Sequence, residues 1–209
     1  KLDEITYDEM LELASLGAQV LHNRSVEMGK RFNVDMEVIS SFTRNPGTKI
    51  KEANKVEKMN VSGVARDMDI AQISLVNMAD APGIAYKVFS LLANKGVNVD
   101  IILQSVGRDD TKDISFTCAA GCADEAVEIL NDIFSMEGAV VSSDLTVAKI
   151  SIVGAGMQSH SGTASKMFGA LYEAGINISM ISTSEIKVSV LIKKDESERA
   201  MRAVHDKFF

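Results

Sequence analysis

The run with the clearest chemistry in this chain is short: Asp80-Ala-Pro-Gly83, immediately before a helical pattern. Pro82 fixes the backbone direction at a helix start, and Gly83 lets a ligand approach the main chain. The unpaired amides and the dipole of such a start favour a carboxylate. Asp80 can accept a hydrogen bond from an ammonium group. A free amino acid carries both charges. These residues also allow a second reading, in which Asp80 caps the helix and Pro-Gly only turns the chain. Gln104, at the end of a following strand pattern, can both donate and accept and so read a polar ligand group. Asn98 and Asn177 follow the glycines that end two long helices. They either cap turns or line a pocket between modules.

Other chemistries find no support. There is no G-x-x-x-x-G-K-[ST] cradle, and Gly154-Ala-Gly156 is a two-glycine fragment without specificity. His22, His160 and His205 are far apart in the chain, and no H-E-x-x-H spacing occurs, so each reads as a surface or locally bonded residue. No G-x-S-x-G elbow is present. Cys118 and Cys122, with C-x3-C spacing and no nearby histidine, read as reduced thiols rather than metal ligands. Asp109-Asp110 reads as a solvated loop, and the methionines from Met10 to Met36 as core packing.

Composition narrows the classes further. The formal charge of -7 and the lack of a basic tract argue against nucleic acid. Aromatics at 5%, with no Trp, leave no stacking platform for bases. No apolar run reaches the roughly 18 residues of a membrane span. The first residues, KLDEITYDEM, lack a signal-peptide hydrophobic region. A cytoplasmic location away from membranes is the expectation.

An internal repeat must position the Asp80 run. Ile70–Ser105 begins one copy and Val147–Ser184 the other. Ile73-Ser-Leu-Val76 matches Ile150-Ser-Ile-Val153. Gly83, Ala85, Lys87, Phe89, Leu92, Gly96, Asn98 and Ile102 match Gly162, Ala164, Lys166, Phe168, Leu171, Gly175, Asn177 and Ile181. Each copy reads β-α-β-β-α, its second helix falling at Ala123–Phe134 or Glu196–Phe208, with both helices expected on one side of an antiparallel sheet. The first copy continues through Gly138-Ala-Val-Val141 into a fourth strand, whereas the second ends at Phe209. Val61–Ala65, before the first copy, can fill the vacant position, which would insert the first module into the second. In the second copy Ser159-His-Ser-Gly162 replaces Asp-Ala-Pro-Gly, so a second site need not be equivalent.

Ahead of the repeat, Tyr7–Ala18 reads as an amphipathic helix with Met10, Leu11, Ala14 and Ala18 on one face and Leu13 and Leu16 on its flank. Thr6 and Glu9 form a capping-box pattern. Gly17 and Asn23 are expected to interrupt helicity. A short helix over Ser25–Arg31, a strand over Val34–Phe42 and a turn at Arg44-Asn-Pro-Gly-Thr48 follow. This section is too small to close a core alone.

Three stretches carry a family resemblance: EITYDEMLELASLGAQVLHNRSVEMGKRFNVDMEVISSF, MADAPGIAYKVFSLLANKGVNVDIILQS and NISMISTSEIKVSVLI. Together they resemble the C-terminal part of an aspartate kinase: the end of its amino-acid kinase lobe and its paired ACT domains. The resemblance covers nearly the whole chain. It implies an α+β fold of two ferredoxin-like βαββαβ ACT modules, the first inserted into the second. The implied boundaries are 1–55 for the kinase-lobe remnant, 68–146 for the first module, and 60–67 with 147–209 for the second. It implies ATP-dependent phosphorylation of L-aspartate to 4-phospho-L-aspartate, on the way to lysine, threonine and methionine, with feedback inhibition by L-lysine, L-threonine or both.

By the same resemblance Asp80, Gly83, Ile84, Ala85 and Gln104 are effector contacts in the first module, and Asn177 and Ile178 in the second. The implied partners are a second copy, paired through ACT domains, and the catalytic lobe, in cis or as a separate subunit. No cofactor is expected in this chain; ATP and Mg2+ belong to the complete kinase. No catalytic residue is assigned, because the lysine- and glycine-rich phosphate-binding segment of the lobe is absent from these residues. Two departures from the family pattern, Leu21-His-Asn-Arg24 for L-H-P-R and Ile39 for an Arg before Ser-Ser-Phe, fall at the kinase-lobe edge. The alternatives are a non-catalytic amino-acid-sensing subunit of another enzyme or regulator, or a purely structural dimerisation module.

Overall fold

A computed structural model describes residues 1–43, 45–52, 61–106, 111–158 and 162–209. Arg44, the tract 53–60 with the expected start of the second module, the pair Asp109-Asp110, and Ser159-His160-Ser161 lie outside the described residues. In chain order the first section holds β1 (Glu4–Thr6), α1 (Tyr7–Ser15), α2 (Asn23–Arg31), β2 (Met36–Val38) and β3 (Thr48–Lys51). Next come β4 (Gly63–Asp67), β5 (Ile70–Ala79), α3 (Ile84–Asn94), β6 (Val99–Val106), β7 (Thr111–Ala119), α4 (Ala123–Phe134) and β8 (Val140–Asp144). The chain ends with β9 (Val147–Val153), α5 (Thr163–Glu173), β10 (Met180–Thr183), β11 (Lys187–Lys193) and α6 (Ser197–Phe208).

Two units result: Met68–Ala148, and Lys1–Asp67 together with Lys149–Phe209. The first is a βαββαβ module with sheet order β6-β7-β5-β8. Alternation sends Ile73, Leu75, Ile114 and Phe116 to one face, where they pack with Val88 and Leu92 of α3 and with Ala126, Leu130 and Phe134 of α4. Each such large apolar side chain, once fully buried, contributes about 1.5–3 kcal/mol.

The second module repeats this plan with sheet order β10-β11-β9-β4. Its core joins Ile150, Ile152, Val188, Val190 and Ile192 to Met167, Leu171, Ala200 and Val204. Strand β4 runs antiparallel to β9, from Gly63 opposite Val153 to Asp67 opposite Lys149. It occupies the sheet position that β8 holds in the first module, so the first module is inserted into the second. Asp67 and Lys149, where the inserted segment leaves and returns, face each other with carboxylate and amine 3.6 Å apart.

The amino-terminal section forms a three-stranded sheet, β1-β3-β2, with β1 parallel and β2 antiparallel to β3. Its core does not close on itself. Ile5, Tyr7, Met10, Leu13, Leu16, Val26 and Ile50 join Ala65 of β4 and Val153 of β9 in one buried cluster.

Several expectations need correction here. Helix α1 ends at Ser15, because Gly17 turns left-handed (φ 94°) and a Cβ there would stand 2.6 Å from the carbonyl oxygen of Arg66. Its buried face is Met10 and Leu13 followed by Leu16, while Leu11, Ala14 and Ala18 are only partly buried. Asn23 begins α2 rather than breaking it, and His22 caps that helix by accepting from the Arg24 amide at 3.2 Å. The strand expected over Val34–Phe42 shrinks to Met36–Val38, because the Ser40 hydroxyl takes the amides of Phe42 (3.3 Å) and Thr43 (3.4 Å) and turns the chain. Met28 is exposed instead of joining a methionine core.

Candidate functional site

Strand β5 delivers the chain to the Asp80 run through a bulge. Asn77 is left-handed (φ 65°), its amide donates to Asp113 Oδ1 at 2.9 Å, and its side-chain amide donates to the Gly138 carbonyl at 3.1 Å. The register with β7 shifts there and resumes at Met78 opposite Lys112. Beyond Ala79 the chain turns, with the Ala81 amide on the Ala79 carbonyl at 3.0 Å, and reaches Gly83.

Gly83 is the N-cap of α3, at φ 92° and ψ −6°, and contributes no side-chain cap. A Cβ on Gly83 would meet nothing within 4 Å. Backbone conformation, not crowding, asks for glycine, and the space beside the helix start is open. Gly83 is exposed; Ile84 and Ala85 are half-buried in the first turn. The Lys87 amide closes that turn on the Gly83 carbonyl at 2.9 Å. Gln104 is exposed on β6 opposite Ile114, so it shares the sheet face that α3 and α4 cover.

Asp80 does not cap α3. Its carboxylate pairs with Lys112 Nζ at 2.6 Å, with both side chains partly exposed. This excludes the simple capping reading and adds a residue that sequence reasoning missed. Lys112 reaches Asp80 only through the β5–β7 register after the bulge, for which the sequence carries no local signal. The sequence thus sets main-chain donors at a helix start a few residues after a carboxylate whose resident counter-ion is a primary amine.

Asn177 and Ile178 belong to the second module, in the link between α5 and β10. Gly175 ends α5 left-handed (φ 66°), and the Ile176 amide closes on the Leu171 carbonyl at 2.9 Å. Asn177 is exposed, whereas Ile178 packs against the second module's core. Gly96 ends α3 in the same way (φ 76°), leaving Asn98 exposed.

Glu9, outside this site, is a buried carboxylate with several partners. It completes the capping box on Thr6, with the Glu9 amide donating to Thr6 Oγ1 at 3.2 Å and the Thr6 amide donating to Glu9 Oε2 at 3.0 Å. Its other oxygen accepts from Ser62 Oγ at 2.6 Å and the Ala155 amide at 2.9 Å. Burial pushes the carboxyl upward, but the hydrogen bonds from Ser62, Ala155 and Thr6 overcome it and hold Glu9 below the ordinary carboxylate range.

The ACT-domain family profile matches residues 73–134 and 150–208, one match in each copy. The aspartokinase of Thermus thermophilus is 46% identical over 210 residues, covering 100% of this chain and 52% of that protein. The aspartate kinase of Pseudomonas fluorescens is 44% identical over 211 residues, covering 100% of this chain and 51% of that protein. The chain thus spans about half the length of the curated relatives it matches. Among solved structures, the ligand-free regulatory subunit of aspartate kinase from Thermus thermophilus superposes with a TM-score of 0.69 at 43% identity, covering 72% of this chain and 99% of that one. With both copies matched and that regulatory subunit covered almost entirely, the chain belongs to the ACT-domain family and matches the regulatory part of aspartate kinases.

Proposed function

We propose that this chain senses a free amino acid and sets the activity of an aspartate kinase by feedback, with L-lysine, L-threonine or both as effector. The observation that carries the reading is the open, left-handed Gly83 helix start close in sequence to the Asp80–Lys112 pair. The effector carboxylate is received by the first-turn amides of α3. Its ammonium group takes the place of Lys112 on Asp80. Ile84, Ala85 and Gln104 complete the contacts in the first module; Asn177 and Ile178 are carried as contacts by the family resemblance alone.

Feedback then requires that the effector bind two arrangements of the regulatory part with different affinity. The reaction regulated is transfer of the ATP γ-phosphoryl group to the L-aspartate side chain. That chemistry, with its ATP and Mg2+, is assigned to a catalytic lobe, in cis or as a separate subunit. A homodimer through ACT domains fits the edge strands, which leave Ile102, Leu103 and Ile181 exposed.

Calorimetric titration of the chain with L-lysine and L-threonine, separately and together, tests the proposal. Saturable binding of either is expected. Asp80→Ala removes a charged partner and weakens binding about tenfold or more. Lys112→Gln removes the competing amine and tightens binding about threefold, as befits an exposed pair. A folded, dimeric chain that binds neither amino acid would overturn the proposal in favour of a structural module or a sensor for another metabolite.

A further inference from the structure

Glu9 has no part in the effector site, yet it is 2% exposed and its two carboxylate oxygens serve different parts of the chain. Oε2 takes the Thr6 amide at 3.0 Å and the Thr6 hydroxyl at 2.9 Å, inside the α1 cap. Oε1 takes Ser62 Oγ, just before β4, and the Ala155 amide, just after β9. Strands β4 and β9 are neighbours in the second ACT module's sheet. One buried carboxylate therefore holds the start of α1 to the same end of two paired strands.

Neighbouring contacts follow the same line. A Cβ on Gly63 would stand 3.1 Å from Leu13 of α1, Glu12 pairs with Lys187 of β11 at 3.0 Å, and the Gly17 turn lies against the Arg66 backbone. Ala65 and Val153 share a buried cluster with Met10, Leu13 and Leu16.

We infer that Glu9 is the positioning residue that ties α1 to the second ACT module, so that the two open and shift as one body. On the proposed function, regulatory output then leaves through the second module's sheet and α1, even though the effector contacts at Asp80 and Gly83 lie in the first module. A capping box alone needs one side-chain oxygen. Glutamine at position 9 offers one oxygen where the carboxylate offers two, so it can serve either the Thr6 donors or the Ser62 and Ala155 donors, not both. The hydroxyls of Thr6 and Ser62 can rotate to accept; a backbone N–H, that of Thr6 or of Ala155, cannot and loses its partner. Glu9→Gln therefore weakens the junction of cap and tie, and Ser62→Ala, which touches only the tie, separates positioning from the helix cap.

The test is native-state hydrogen exchange on the 209-residue chain, following amides of α1 at Met10–Leu13 and of β9 at Ile150–Val153. In the unaltered chain the two sets should exchange through one opening, with protection matched within about threefold. Glu9→Gln should speed α1 exchange about tenfold or more and leave β9 unchanged, with Ser62→Ala producing a smaller split in the same direction. Equal acceleration of both sets, or α1 already exchanging far faster than β9 in the unaltered chain, would overturn the tie. L-lysine or L-threonine, whichever calorimetry shows to bind, should slow α1 exchange in the unaltered chain and not in Glu9→Gln; equal slowing in both overturns Glu9 as the carrier. If neither amino acid binds but Glu9→Gln still splits the two sets, the tie stands and the effector reading falls.

Discussion

Gly83 (φ 92°, ψ −6°) and Gly162 (φ 96°, ψ −4°) open the long helices of the two modules in nearly the same conformation. The likeness runs on. Lys87 Nζ lies 4.8 Å from the ring centre of Phe134, and Lys166 Nζ 4.7 Å from that of Phe208. The hydroxyls of Ser74 and Ser115 meet at 3.1 Å, and those of Ser151 and Ser189, at the matching places, at 2.7 Å. The differences lie elsewhere. Ser74 and Ser115 are half-buried, whereas Ser151 and Ser189 are each 1% exposed. The first module owns its fourth strand; the second takes β4 from the far side of the insertion. Duplication thus kept the helix start and the packing beneath it. What diverged is the chemistry before the glycine and the use of the sheet. The first module carries a carboxylate–amine pair before its helix, and the second carries α1.

The largest test of this division targets the cores. Phe116 is fully buried in the first module and Leu171 in the second. Phe116→Ala should cost about 3–5 kcal/mol and Leu171→Ala about 2–5 kcal/mol. The inserted module has its own core, and its ends spring from the paired residues Asp67 and Lys149. Its unfolding leaves a closed loop that the host tolerates at modest entropic cost. Segment-resolved hydrogen exchange in urea should show Phe116→Ala lowering protection across β5–β8 while β9 and β11 hold. Loss spread equally over both modules would mean that the insertion behaves as a single cooperative domain.

A finer test compares the two helix starts. A Cβ added to either glycine would meet no atom within 4 Å, so alanine meets only the left-handed backbone penalty. Gly83→Ala and Gly162→Ala should each cost about 1–2 kcal/mol, read as matched falls in thermal midpoint. Amino-acid binding should separate them: Gly83→Ala weakens it and Gly162→Ala does not. Equal loss of binding in both would assign the second helix start an effector role of its own.

The repeat is legible in the sequence because its signals are local. Glycines that must turn left-handed, alternating strands and helix-ending hydrophobics all fall within short windows. The place of β4 is legible by counting strands: Val140–Asp144 follows α4, whereas no strand follows α6 within the chain. What the sequence hides is long-range pairing. β1 and β3 span three and four residues, carry charged side chains, and pair in parallel from Glu4 opposite Lys49. Lys112 finds Asp80 only because Asn77 shifts the register. Glu9 is legible as half of a capping box, but Ser62 and Ala155, 53 and 146 residues away, leave no mark near it. The capping alternative for Asp80 rested on residue type alone; the fold gives that carboxylate a cation instead.

The smallest contrast is silent at neutral pH. Cys118 of β7 and Ile192 of β11 hold matching core places in the two modules, and only the first can ionise. Burial, and then the neighbouring Cys122, push the Cys118 thiol up to about 11 from an ordinary 9.0. The folded chain therefore holds this proton where the unfolded chain releases it. Stability from this group is intact below pH 9 and falls as pH rises toward 11. The loss is about 1 kcal/mol at pH 10. It should appear as an alkaline slope in the urea stability of β5–β8, with no matching thiol contribution from the second module, and Cys118→Val should flatten it. Alkylation supplies a second reading of the same burial: Cys122, only partly buried, should react first in the folded chain. A slope that survives Cys118→Val would place the alkaline sensitivity in another group and leave the two cores equivalent in this respect.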